Sequence, residues 1–153
     1  MPDPELPIDA DVAIGEHLDR DRRLRADPTV LAAIALGGAL GAPARYGIAH
    51  VIHVHANGFP WATFWTNVTG SLLLGLLLAL LLERFPPTRY ARPFIATGFL
   101  GAYTTYSTFA VETDVLIKNG HAGVALAYAF ASLVVGFVAV WLGLTAARVG
   151  RTR

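Results

Sequence analysis

Gly98-Phe99-Leu100-Gly101-Ala102-Tyr103-Thr104-Thr105-Tyr106-Ser107-Thr108-Phe109 sits inside a charge-free apolar run from Pro93 to Val111. That run is long enough to cross most of a bilayer. Its middle nevertheless carries hydroxyls on Thr104, Thr105, Ser107 and Thr108, together with aromatic rings and the glycines Gly98 and Gly101. Polar groups at membrane depth are costly and turn towards a protein interior or an aqueous path. The glycines permit a break in the helix, tolerated at that depth where protein or a water-filled cavity satisfies the freed backbone groups. The stretch therefore reads as the lining of a permeation or binding site inside a membrane-spanning segment.

The residues on either side agree with a membrane setting. The chain has 153 residues, 54% of them hydrophobic and 15% charged, which is not the composition of a soluble domain. Twelve of the 23 Asp, Glu, Lys and Arg residues precede Pro28, and between Thr29 and Leu82 there is only Arg45. Such clearing is expected of chain lying in hydrocarbon. Cysteine is absent, which excludes disulfides, thiolate chemistry and Cys-based metal sites. A net charge near zero, with no basic stripe and interleaved aromatics, gives no support for nucleic-acid binding. Residues 1–28 start acidic and end in Arg20, Arg22, Arg23 and Arg25. That order is not the basic start and apolar core of a cleavable signal peptide. It reads as a polar cytoplasmic tail with a short helix from Asp11 to Arg25.

Four apolar spans are expected, at Thr29–Ile52, Trp61–Leu82, Pro93–Ile117 and Ala122–Ala147, each long enough to cross a core of about 30 Å. They form a transmembrane domain over 29–147, followed by a basic tail at 148–153. An even number of crossings puts both termini and the middle loop on one side. That side holds ten Lys and Arg residues outside the spans, and the other holds Lys118 alone. The asymmetry places both termini in the cytoplasm.

Thr63, Asn67 and Ser71 repeat at a spacing of four on the second span, and Tyr128 and Ser132 do so on the fourth, so each set shares a helix face. With the third-span hydroxyls they make a polar track, although Ser, Thr and Asn also serve as glue between membrane helices. Mid-membrane carboxylates are missing, with Glu112 and Asp114 near the end of the third span and Glu83 at the end of the second. Neutral donors without a fixed negative charge suit an anion. The ring edges of Tyr106 and Phe109 offer the positive part of the aromatic quadrupole to it. Arg45, alone in the first span, either attracts an anion in a vestibule or serves structurally, snorkelling or bonding carbonyls freed by Pro43. His50, His53 and His55 share no helical or strand face and have no carboxylate nearby, so they read as interfacial rather than metal-binding.

At these residues the chain resembles the small fluoride-channel family called Fluc or CrcB. The resemblance covers roughly residues 30–147 and rests on Gly38 to Gly41-Ala42 with Arg45-Tyr46, on Thr63 through Asn67 to Gly70-Ser71, and chiefly on Gly98–Phe109, followed by Glu112. It implies an all-α membrane protein with four transmembrane helices per subunit, the third broken mid-membrane, assembled as an antiparallel dimer in the cell (plasma or inner) membrane. It also implies passive, fluoride-selective export through two pores. By the same resemblance, Asn67, Tyr106, Ser107, Thr108, Phe109, Tyr128 and Ser132 line the pore. Arg45 and Glu112 hold vestibule or structural places. A sodium ion at the dimer axis is held by the backbone carbonyls of Gly101 and Thr104, two from each subunit. The resemblance departs at Tyr106, where the family usually has Phe. It departs again in the charge bias, since homodimers inserted in both orientations need a weak one. The expected partners are fluoride, membrane lipid and a second subunit, either identical or an oppositely oriented homologue.

The runner-up is a small four-helix multidrug or cation exporter, which needs a membrane-embedded carboxylate that the first span lacks. A membrane enzyme would have only the three histidines for its chemistry, and no phosphate-binding G-x-x-x-x-G-K-[ST] is present. The reading is therefore of a non-enzymatic channel.

Overall fold

The computed structural model describes residues 27–83 and 89–149. The N-terminal tail with its expected Asp11–Arg25 helix, residues 84–88 and the last four residues all lie outside the described residues.

The regular secondary structure of the described residues is all helical, without strands. In chain order the helices are α1 (Pro28–Val51), α2 (Trp61–Glu83), α3 (Pro93–Leu100, wound as a π-helix), α4 (Gly101–Tyr103), α5 (Ser107–Lys118) and α6 (Ala122–Val149). Three of them, α1, α2 and α6, are long and apolar enough to cross a membrane by length and composition. Their limits fall within two residues of the expected first, second and fourth spans. The third expected span is not a single helix. Its residues are divided among α3, α4 and α5, and no piece is long enough to cross alone.

Local chemistry sets the helix ends. Asp27 caps α1, its carboxylate accepting from the Thr29 amide at 2.9 Å, with Pro28 at the first helical position, where its missing N–H and fixed φ cost nothing. The same carboxylate pairs with Arg89, tying the start of α1 to the chain leading into α3. Helix α5 ends in a left-handed turn at Gly120, φ 81°. The Gly120 amide reaches Ile117 O and the His121 amide reaches Leu116 O, at 3.0 and 2.8 Å. This paired closure wants a residue without Cβ penalty, and it sends the chain straight back into α6.

Helix α2 packs along α6, and α1 packs on α3 and α4. Glycines make both seams close. A Cβ at Gly143 would run into the Leu72 carbonyl, and one at Gly75 into the Val140 carbonyl. Such contacts bring dispersion and close backbone packing where lipid cancels the hydrophobic drive. One buried cluster packs Phe64, Val68, Tyr128 and Ala139 together, with Phe59, Phe109 and Ala131 against it. Much of the remaining apolar surface faces outward, as with Phe130, Leu133, Phe137 and Trp141 on α6. An outward apolar surface is what a lipid-facing helix requires.

Candidate functional site

The helical ladder stops between α4 and α5. Thr104 takes an extended conformation, φ −77° and ψ 160°, and regular helix resumes at Ser107. The break is held from α2 by Asn67. Its Oδ1 accepts from the Thr105 amide and its Nδ2 donates to the Thr105 carbonyl, each at 2.9 Å. A carboxamide matches a peptide group in both donor and acceptor, so one side chain satisfies both polar groups that the break exposes. The Thr105 hydroxyl then accepts from the Thr108 amide at 3.2 Å, the geometry of a helix N-cap at the start of α5. It also donates to the Thr108 hydroxyl at 3.0 Å.

These bonds redirect two amides. In a continuous helix the Thr105 amide would close on the Gly101 carbonyl, and the Thr108 amide on that of Thr104. Both donate elsewhere. Gly101 is exposed and Thr104 half-exposed, and both residues line the same cavity. Carbonyl oxygens of this kind are ligands for a hard cation.

Two cavities meet at Thr105. The larger, about 460 Å³, is lined by Asn67, Ser71, Thr104, Tyr106, Phe109 and Ser132 among others, with no ionised side chain on its wall. The Ser132 hydroxyl there is buried without a hydrogen-bond partner among the described residues. Tyr106 projects outward with 81% of its surface exposed, its ring 6.1 Å from that of Phe109. The smaller cavity, about 250 Å³, has Arg45, Tyr46, Thr63, Thr66 and Thr108 on its wall. Arg45 makes no ion pair among the described residues.

The expected site residues thus fall into three groups. Asn67, Tyr106, Phe109 and Ser132 share the larger cavity with Gly101 and Thr104. Arg45 and Thr108 share the smaller, while Ser107 is exposed, its hydroxyl 3.3 Å from that of Thr105. Glu112 and Tyr128 line neither cavity and pair with each other. The carboxylate accepts from the Tyr128 hydroxyl and from that of Thr63, both at 2.8 Å, which joins α5 to α6 and α2. Tyr128 is fully buried, and its ring packs 5.0 Å from Phe109.

Sequence reasoning counted the Thr105 hydroxyl among those of the break but did not single it out as the one that accepts from the Thr108 amide. A usable signal existed: a Thr three residues before Thr108, just ahead of a helix, has the spacing of an N-cap. It also missed the bond between the Tyr103 and Thr69 hydroxyls, at 2.7 Å, which pins α4 to α2. His50, His53 and His55 are exposed at the end of α1 and in the turn after it.

Residues 32–144 match the family described as CrcB-like protein, Camphor Resistance (CrcB). Over 131 residues the chain is 49% identical to a Streptomyces avermitilis protein named Fluoride-specific ion channel FluC 3, a match covering 86% of this chain and 64% of that relative. The chain thus spans a little under two thirds of that relative's length. A second protein of Streptomyces avermitilis, Fluoride-specific ion channel FluC 2, is 39% identical over 87% of this chain and 84% of its own. Fluoride-specific ion channel FluC 1 of Mycobacterium bovis is 43% identical over 80% of this chain and 93% of its own.

Proposed function

This chain belongs to the CrcB-like family, and we propose that it forms a fluoride-selective channel through which cytoplasmic fluoride leaves the cell passively. The observation that carries this reading is the larger cavity. There Asn67, the unpartnered hydroxyl of Ser132 and the rings of Tyr106 and Phe109 converge on a wall without ionised groups. Fluoride is small and strongly hydrated, so its passage requires fixed donors that replace water. Asn67 has two amide protons and spends one on Thr105, leaving the other for the cavity. Ser132 supplies a hydroxyl, and the aromatic edges supply C–H donors. Arg45 on the smaller cavity wall raises the local anion concentration at a vestibule. Ser107 and Thr108 extend the polar path, while Tyr128, its hydroxyl held by Glu112, backs the Phe109 ring. Hydrogen fluoride enters a cell as the neutral acid and ionises inside. A membrane potential that is negative inside then drives the anion out with no energy source in the protein.

In this reading residues 29–147 are a four-span channel domain, with 1–28 and 148–153 as its cytoplasmic tails. The segment α3–α4–α5 is the third span, broken mid-membrane, and two subunits pair antiparallel in the cell membrane. The outward position of Tyr106 supports this, since its exposed ring completes a pore wall when a second subunit covers it. Sodium fits the freed carbonyls of Gly101 and Thr104. Two neutral oxygens are too few for a hard cation, so a second pair from the other subunit would have to join them. When bound, the ion would be stabilised by the carbonyl dipoles and would tie the subunits together. The charge asymmetry favours one orientation, with both termini cytoplasmic, and hence a heterodimer with an oppositely oriented homologue. Reporter fusions at the C-terminus test this, and a substantial population reporting outside would sink it.

A proton-coupled exporter would need a carboxylate held between helices, and Glu112 is one. Its oxygens are already engaged by Thr63 and Tyr128 and it lines neither cavity, so the passive reading is preferred. Fluoride release from potassium-loaded liposomes, started with valinomycin and read by a fluoride electrode, tests the function. Rapid release of fluoride without chloride is expected from the reconstituted dimer. Release of both anions, or dependence on a proton gradient, would overturn it.

A further inference from the structure

Thr105 stands where the helix stops, and both of its backbone polar groups are held by one side chain from another helix. An amide at membrane depth must be bonded, and the Thr105 amide has two acceptors to choose between: Asn67 Oδ1, which it takes, and Gly101 O, which it would take if the ladder healed. The Thr108 amide faces the same choice between the Thr105 hydroxyl and Thr104 O, and it takes the hydroxyl. Gly70, three residues on from Asn67, makes the arrangement reachable. A Cβ there would strike the Thr104 methyl, so its absence lets α2 approach closely enough for the short Asn67 side chain to span the gap.

We propose that Asn67 and the Thr105 hydroxyl are positioning residues for the carbonyl pair of Gly101 and Thr104, diverting the two amides that would otherwise close on those oxygens. The carbonyls stay open to a cation because acceptors elsewhere hold their helical donors. Since Asn67 also lines the larger cavity, a single carboxamide links the pore wall to the cation site. This rests on the sodium reading above, and it assigns Asn67 a task that a fluoride ligand alone would not have.

The test is thermal unfolding of the purified dimer in detergent, with the homologue co-purified where the pair is mixed. Sodium is titrated against N-methylglucamine at constant ionic strength, and the half-saturating sodium concentration is read for each variant. Wild type and Thr105→Ser, which keeps the hydroxyl, should share one sodium midpoint. Thr105→Val and Asn67→Leu should raise it roughly tenfold, equivalent to about 1.4 kcal/mol. A merely structural defect lowers the melting temperature at every sodium concentration and leaves the midpoint alone. If wild type responds to sodium and the Val and Leu variants respond at the same midpoint, the diversion of amides is wrong while the cation reading stands. If wild type itself shows no sodium response, the cation reading fails and takes this proposal with it. Should Asn67→Leu not fold, the pair Thr105→Val and Thr105→Ser decides alone.

Discussion

The α2–α6 seam and the broken segment α3–α4–α5 solve the same problem in opposite ways. Helices α2 and α6 satisfy their backbones internally and meet through glycines that bring backbone against backbone. Nothing polar has to be supplied by a neighbour. The broken segment gives up helical bonds at Thr104–Tyr106 and takes replacements from outside, from Asn67 and from the Thr105 hydroxyl. The seam therefore supplies rigidity, and the break supplies chemistry: open carbonyls, unspent donors and cavities on both sides. The difference teaches that the polar side chains of α2 belong to two functions. Asn67 serves the break. Thr63 serves the carboxylate of Glu112, which fastens α5 to the seam.

The largest effect should come from the seam. Gly143→Leu forces a side chain into the Leu72 carbonyl and the Gly75 backbone, neighbours that cannot yield. A loss of about 3 kcal/mol is expected, read by denaturant titration in micelles, and wild-type stability would mean that the seam is looser than its glycines indicate. Next comes the joint between the two regions. Glu112→Ala leaves the buried Tyr128 hydroxyl without its acceptor, at about 2 kcal/mol, while Glu112→Gln should retain most of the stability by keeping an oxygen in place. Equal losses for both would show that the charge, not the acceptor, holds α5. The smallest change in stability belongs to the cavity. Ser132→Ala removes a hydroxyl that bonds nothing among the described residues, so the fold should stay within about 0.5 kcal/mol. Fluoride flux should nevertheless fall roughly tenfold, as expected when a donor to a charged ligand is lost. Unchanged flux would remove Ser132 from the ion path.

Gly98–Phe109 stood out from composition because it combines features a lipid-facing helix cannot use, and α1, α2 and α6 were legible from length and hydropathy alone. The limits of those helices were nearly right because charges, Asp27-Pro28 and Asn119-Gly120 mark them. The clamp was not legible. Asn67 and Thr105 are 38 residues apart, and no periodicity within either segment encodes their meeting. Glu112 illustrates the same gap: position along the chain put it near the end of a span, yet hydroxyls on two other helices draw it into the bundle. The winding of Pro93–Leu100 as a π-helix likewise has no signature in residue spacing. Pairings between helices depend on how closely backbones approach, and Gly70 sets that distance for Asn67 and Thr104.

The central claim is that the larger cavity, completed by a second subunit, passes fluoride and excludes chloride. The most direct measurement is the reversal potential in a planar bilayer with fluoride on one side and chloride at equal concentration on the other. The account expects a potential far from zero, of the sign set by fluoride alone. A reversal potential at zero would contradict it, since a cavity that passes both anions equally is not one in which fixed neutral donors select the smaller ion.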